Sequence, residues 1–276
     1  NGVHALGPNY NFVSVCSNME PKSTLSIMNC LNHLSRFSEL NELANSVLNN
    51  PNYPNSSDMR LRSLRFAATA SWHLFNYSDF EKFAEQFINE SKGRKKPSED
   101  SENPDEINEN YYIVVMYNIL KKNFQAARRI ISKIHASSCK KLFPMLGENY
   151  ELVYEDMSII SSLVEAKEVI QYIELDELAK NPEKTIREDA CNSMNRIRQL
   201  WKIRFTKLKP ISSVLHDHLC IRSIVLPISE QSEGFLTLID AAIDQKRLEL
   251  AESVLQYCES KDPKCEKYRS MRCKLI

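Results

Sequence analysis

Apolar residues recur every three or four positions along most of this chain, and that periodicity constrains the fold more than any other feature. Leu25, Met28, Leu31 and Leu34 form one such run, and residues 37–48 contain the next. Residues at these spacings lie on one side of an α-helix, so each run predicts an amphipathic helix. Two runs separated by a short polar break predict two antiparallel helices that pack their apolar faces together.

Runs of the same kind continue to the end of the sequence. We predict further helices over residues 58–75, 79–91, 107–121, 124–139, 143–161, 163–175, 183–208, 212–226, 230–244, 247–260 and from 262 onward. Asp58 is expected to cap the first of these, because its carboxylate can accept the free amide hydrogens of a first turn. The pairs repeat at about 34 to 40 residues, as tetratricopeptide-like (TPR-like) repeats do. The predicted fold class is therefore all-α, a helical-repeat solenoid of antiparallel helix pairs of the TPR or HEAT kind.

Four segments are expected along the chain. They are a poorly defined N-terminal segment at 1–21, helical repeats at 22–91, a charged insertion at 92–106, and helical repeats at 107–276 that continue beyond the C-terminus. Residues 92–106 contain no apolar side chain, so burial cannot offset the entropy of ordering them, and we predict a flexible loop. A localisation signal or a phosphate contact at its basic residues is left open. Because the chain begins without Met and its last helix runs to the end, we expect a piece of a longer protein.

The charge balance and composition argue against several function classes. The chain has 36 basic and 36 acidic residues and a formal net charge of zero, which argues against general nucleic-acid or membrane-surface binding. No apolar run reaches the roughly 18 residues that a membrane-spanning helix needs. The 8 cysteines form no CxxC pair and no metal-ligand spacing, which favours the reduced thiols of a cytoplasmic or nuclear protein.

The sequence contains no motif for catalysis or for metal binding. A Gly-rich phosphate loop, an Asp-Phe-Gly motif and a kinase catalytic loop are all missing from it. His216 and His218 flank Asp217, but residues two apart point to different sides of a helix, so we expect a structural or surface role and not a shared metal ion. Trp72 and Trp201 are expected to lie in the core. The function is therefore expected to reside in surfaces and partners.

Several short segments stand in a fixed order along the chain. They are the Ala-rich helix ending at Trp72, Gly147-Glu148-Asn149-Tyr150, Glu168-Val169-Ile170-Gln171-Tyr172, Trp201-Lys202-Ile203-Arg204 and Arg222-Ser223-Ile224-Val225. Together they resemble the FAT domain of target-of-rapamycin (TOR) kinases, within the phosphatidylinositol-3-kinase-related kinases. The resemblance covers about residues 22–260. The chain departs from the family pattern near Leu215, where a second tryptophan is expected, and at residues 207–209.

The resemblance implies that the intact protein is a large serine/threonine kinase and that this segment is its non-catalytic scaffold. Such a scaffold is expected to pack around the kinase domain of the same chain and to contact other subunits of a TOR-like complex. Structural roles are implied for Trp72, Gly147, Tyr150, Trp201 and Arg222. The implied location is the cytoplasm, with the nucleus and endomembrane surfaces left open.

Two other functions are compatible with the residues alone. The first is a free-standing TPR-like adaptor that binds partner peptides in a concave groove. The second is an unrelated helical enzyme, which would need a convergent polar pocket that the sequence does not show.

A ligand site is also implied, because TOR-like FAT domains are similar in holding an inositol polyphosphate. Arg129 and Lys133 are four residues apart, as are Arg198 and Lys202, so the members of each pair share a helix face. Converging Arg and Lys side chains suit phosphate groups. We therefore name these four residues as candidate ligands for inositol hexakisphosphate. Solvated helix faces paired with nearby acids, or a nucleic-acid contact, remain alternatives.

Overall fold

The computed structural model describes residues 20–50, 57–92, 104–145, 150–263 and 265–275, and the regular secondary structure within those ranges is helical throughout. This confirms the all-α fold class. The chain divides into two compact units, residues 1–95 and 96–276. The first unit contains α1 (Pro21–His33), α2 (Phe37–Asn49), α3 (Ser57–His73) and α4 (Tyr77–Lys92). The second contains α5 (Pro104–Leu120), α6 (Phe124–Met145), α7 (Tyr150–Leu178), α8 (Lys184–Lys207), α9 (Ser212–Arg222), α10 (Ile228–Asp244), α11 (Leu248–Lys261) and α12 (Glu266–Leu275).

Helices pack mainly on their neighbours in the chain, as expected of a helical-repeat solenoid. In the first unit α1 packs on α2 and α3, α2 on α3, and α3 on α4. In the second unit α5 packs on α6, α6 on α7, α7 on both α8 and α9, α9 on α10, and α10, α11 and α12 on one another. Contacts between close neighbours let each pair bury the apolar face of the next.

One turn geometry recurs at four helix pairs. Among the non-glycine residues that the structure describes, those with positive φ are Ser35, Phe75, Lys122 and Lys246, each two positions after the end of a helix and two before the start of the next. At Lys246, the amide of the turn residue donates to Ile243 O at 2.9 Å and the next amide donates to Ala242 O at 2.8 Å. The same paired bonds close the other three turns. This is the Schellman arrangement, which satisfies the last carbonyls of a helix and reverses the chain.

The start of α9 is held by a side chain from a distant turn. Gln245 Oε1 accepts hydrogen bonds from the amide of Ser212 at 3.2 Å and from its hydroxyl at 2.8 Å. Gln245 Nε2 donates to Pro210 O at 2.7 Å. A helix N-terminus leaves amide groups unsatisfied, so the α10–α11 turn supplies a cap that the sequence around Ser212 lacks.

Gly234 marks a close approach between α10 and its neighbours. A Cβ atom there would lie 3.0 Å from Leu219 Cδ2 and 3.5 Å from Phe205 Cζ. The glycine therefore lets α10 lie against side chains of both α8 and α9.

Three local predictions are wrong. Residues 150–178 form one helix of 29 residues and not two helices that meet near Ser162. Ser162 Oγ donates to Ser158 O at 3.1 Å, so the hydroxyl is satisfied within the helix and does not break it.

Asp58 lies inside the first turn of α3 and pairs with Arg62 at 3.0 Å, because the helix already begins at Ser57. Helix α5 begins at Pro104, three residues earlier than predicted, because Pro suits a first helical position.

We expect Lys246→Gly to raise the free energy of unfolding by up to about 1 kcal/mol. Lys246 has a φ of 58°, a conformation in which a Cβ atom is strained and glycine is not. The variant is compared with Lys246→Ala by urea denaturation, since Ala removes the same long side chain but keeps the Cβ. Equal stability of the Gly and Ala variants would contradict the assigned turn geometry.

Candidate functional site

A carboxylate without any solvent exposure lies where α7, α8 and α9 meet. Glu165 of α7 has a side-chain exposure of 0%. Arg222, in the last turn of α9, donates from Nε to Glu165 Oε2 at 2.9 Å and from Nη2 to Oε1. A buried charge is costly unless a partner of opposite charge and good hydrogen bonds compensate it. The bidentate contact with Arg222 provides the opposite charge and the hydrogen bonds.

His218 approaches the same carboxylate from one turn earlier in α9. Its Nδ1 lies 2.9 Å from Glu165 Oε2. Burial alone would raise the pKa of Glu165, but the contacts with His218 and Arg222 outweigh burial and lower this pKa to about 2. Glu165 is therefore ionised at neutral pH.

Arg204 connects α8 to this carboxylate and to a second one. Its Nη1 donates to Glu165 Oε1 at 3.1 Å. Both terminal nitrogens donate to Glu168, at 2.8 Å each, and the hydrogen bond with Glu168 is the main cause of the raised pKa of Arg204. Trp201 Nε1 also donates to Glu168, at 2.6 Å. Glu168 thus binds two side chains that are one turn apart on α8.

Aromatic rings pack against the charged groups. The guanidinium of Arg222 lies 5.9 Å from the Trp201 ring centroid and 5.2 Å from that of Phe205, within the range of cation–π attraction. Trp201 also stacks on Tyr172 at 5.8 Å. Arg198 donates to the hydroxyl of Tyr172 from Nε at 2.8 Å. Together these contacts leave little of the ionic groups open to water.

We call Glu165, Glu168, Trp201, Arg204, His218 and Arg222 the Glu165 cluster. Its two carboxylates face two guanidinium groups, so the charges balance before His218 is counted. Every carboxylate oxygen in it accepts a hydrogen bond from within the cluster. The carboxylates and guanidinium groups of the cluster are therefore engaged with one another. The physical effect of the cluster is to fix three helices relative to one another.

A groove of about 530 Å³ lies beside the cluster in the second unit. Its charged lining residues are already engaged with one another. Lys122 lies 3.7 Å from Glu177, and Arg198 lies 3.5 Å from Glu230. These pairs reduce the charge that the groove presents to a small ionic ligand.

The four residues named for inositol hexakisphosphate fall into two pairs. Arg129 and Lys133 are exposed, one turn apart on α6. Arg198 and Lys202 are one turn apart on α8, and Lys202 lies 3.6 Å from Glu233 of α10. No hydrogen bond or ion pair within the described ranges joins the α6 pair to the α8 pair. The ligand site stays a prediction.

The residues given structural roles fall in different places. Trp201 and Arg222 belong to the Glu165 cluster. Trp72 is 1% exposed in the first unit, where its ring centroid lies 5.1 Å from that of Phe80. Gly147 lies outside the described residues, and Tyr150 begins α7 although its side chain is not described.

Sequence reasoning missed Glu165 and the role of His218. The sequence did contain a signal for the burial of Glu165. This residue lies among Leu163, Ala166 and Val169, which belong to the apolar side of a predicted helix. A charged residue in such a position requires a buried partner. The partner could not be identified, since Arg222 lies 57 residues further along the chain.

Comparison with known proteins agrees with this fold. The family model of the FAT domain matches residues 64–275. A serine/threonine-protein kinase TOR from Arabidopsis thaliana is 26% identical over 236 residues, which cover 85% of this chain and 9% of that protein. The protein of the same name from Oryza sativa subsp. japonica is 24% identical over 243 residues, covering 87% of this chain and 9% of that protein. The chain thus spans about a tenth of the length of these curated relatives.

We expect Glu165→Gln to lower the free energy of unfolding by about 3–5 kcal/mol, because it leaves the buried Arg222 guanidinium without its compensating charge. Urea denaturation followed by circular dichroism measures the change. Glu177→Gln is the matched control, since Glu177 is 59% exposed and its ion pairs are solvated, so its loss should cost less than about 1 kcal/mol. Equal effects of the two substitutions would contradict the cluster's role.

The contribution of Glu165 should also depend on pH. Its pKa is about 2 in the folded protein, against an ordinary value of 4.5. A carboxyl whose folded pKa is depressed stabilises the fold above its unfolded pKa, and the contribution is lost as pH falls through the folded value. The stability advantage of the unaltered protein over Glu165→Gln should therefore be full at pH 7 and shrink from pH 4.5 towards pH 2. Denaturant midpoints measured across this range test it, and an advantage that does not change with pH would contradict it.

Proposed function

This chain belongs to the FAT domain family, and we propose that it is the non-catalytic scaffold segment of a TOR-like serine/threonine protein kinase. In this proposal the helical repeats pack around the kinase domain of the same parent chain and regulate access to it. The same repeats contact other subunits of a TOR-like complex. The proposed location is the cytoplasm.

The observation that carries the proposal is the family match over residues 64–275, together with relatives that are serine/threonine kinases. The chain covers only 9% of those relatives, so the proposal places the phosphoryl-transfer chemistry elsewhere in the parent protein. The Glu165 cluster supports a mechanical role, because its charged groups bind one another. Within the part of the chain that the structure describes, each helix is too short or too polar to span a bilayer.

The proposed mechanism is positional. Helix α7 is joined to α8 by Arg204 and Trp201, and to α9 by Arg222 and His218. A joint of this kind resists bending of the repeats. A stiff scaffold can hold the lobes of a kinase at a fixed separation and limit which substrates reach the cleft. Inositol hexakisphosphate at the α6 and α8 basic residues remains a further part of the proposal.

We expect an antibody against this segment to precipitate, from the source cells, a polypeptide several times heavier than 31.9 kDa with serine/threonine kinase activity. The measurement is a denaturing gel and a phosphorylation assay on the precipitate, with peptide-blocked antibody as the control. A product of about the size of this chain without kinase activity would overturn the proposal and leave the free-standing adaptor.

A further inference from the structure

One side of α8 carries a stripe of four residues that the repeat core does not use. Arg196, Leu200, Ile203 and Lys207 follow one another at intervals of four, three and four residues. Side chains at these spacings lie on one face of a helix. We call these four residues the α8 stripe. The opposite side of the helix places Ile197 and Trp201 in the core, along with other buried residues.

The centre of the stripe is apolar and open to solvent. Leu200 is 51% exposed and Ile203 is 59% exposed. Single exposed apolar residues are ordinary on protein surfaces. Here two large ones lie one turn apart on the same face, which provides a continuous apolar contact.

The two ends of the stripe carry positive charge that no acidic residue in the described part of the chain neutralises. Residues 190–211 contain six basic residues and no acidic one. Three of them, Arg198, Lys202 and Arg204, face carboxylates from other helices. Arg196 and Lys207 form no hydrogen bond or ion pair with any residue that the structure describes. The stripe therefore presents an apolar centre between two cations that the described residues leave unpaired.

We propose that the α8 stripe docks an acidic amphipathic helix of a partner protein. The partner would place apolar side chains, three or four residues apart, against Leu200 and Ile203. Asp or Glu side chains on either side would face Arg196 and Lys207, which lie about 16 Å apart along the helix axis at 1.5 Å per residue. This is helix-on-helix recognition in which apolar contact supplies affinity and charge sets the register.

Two other occupants fit the stripe less well. A second copy of the chain related by a two-fold axis would bring Arg196 of one copy towards Lys207 of the other, and like charges oppose association. A membrane surface would need an apolar helix face to insert, but the core already contains the apolar face of α8. An acidic amphipathic helix is complementary to the positive charge of Arg196 and Lys207 and to the small apolar area of Leu200 and Ile203.

The inference rests on the proposed scaffold function, because it assigns a surface through which the scaffold holds a partner. The test is site-specific photo-crosslinking in the full-length parent protein. A benzoylphenylalanine probe replaces Ile203, and a second variant carries the same probe at Leu248, which is 52% exposed and lies outside the stripe. After irradiation in cells, crosslinked peptides are identified by mass spectrometry.

The expected result is a crosslink from position 203, absent at position 248, to a helical segment with an acidic excess and apolar residues three or four apart. Adding Arg196→Glu and Lys207→Glu should reduce that crosslink roughly tenfold, the effect of about 1.4 kcal/mol. Lys267→Glu is the control, because Lys267 is exposed on α12. Replacing the acidic residues of the identified segment by Lys should restore the crosslink to the charge-reversed protein.

A crosslink to lipid, to a second copy of the chain or to a segment without acidic excess would overturn the inference. Equal crosslink yields at positions 203 and 248 would also overturn it. So would a crosslink yield at position 203 that Arg196→Glu and Lys207→Glu leave unchanged. Failure of the proposed scaffold function can be distinguished from failure of the docking inference. The first is measured by the mass and kinase activity of the parent polypeptide, and the second by the crosslink.

Discussion

The contact between the Glu165 carboxylate and the Arg222 guanidinium is the interaction on which the second unit depends. Glu165 is without solvent exposure, and moving a single carboxylate from water to such a place costs several kcal/mol. Arg222 from α9 and Arg204 from α8 compensate that cost only where the three helices meet in one geometry. The pair therefore contributes specificity more than net stability, because an arrangement of the helices that separates the charges is strongly disfavoured.

The cluster also explains why one side of α8 is buried while the other is exposed to solvent. Trp201 and Arg204 hold the inner side against α7 through Glu168. The outer side is left to solvent, with Leu200 and Ile203 exposed. A helix that is fixed firmly on one side can present the other as a rigid surface, which lowers the entropic cost of binding a partner. In the proposed docking of a partner helix, fold stability and partner binding would therefore depend on the same helix.

Much of the fold could be predicted from the sequence because it is local. Apolar periodicity located nearly every helix, and Pro or Asn clusters located most of the ends. The break predicted near Ser162 was wrong, since this serine bonds to a carbonyl of its own helix and need not end it. The Glu165 cluster could not be predicted, because its members come from three helices and pair across up to 57 residues. The family resemblance pointed to Trp201 and Arg222, but their shared contact with α7 required the structure.

A double-mutant cycle between Glu165 and Arg222 tests the central claim most directly. Each residue is replaced by Leu alone and then together, and the free energy of unfolding is measured by urea denaturation. We predict that each single substitution is strongly destabilising, that the double variant recovers much of the loss, and that the coupling energy exceeds about 2 kcal/mol. A coupling within about 0.5 kcal/mol of zero, the range of independent sites, would contradict the account.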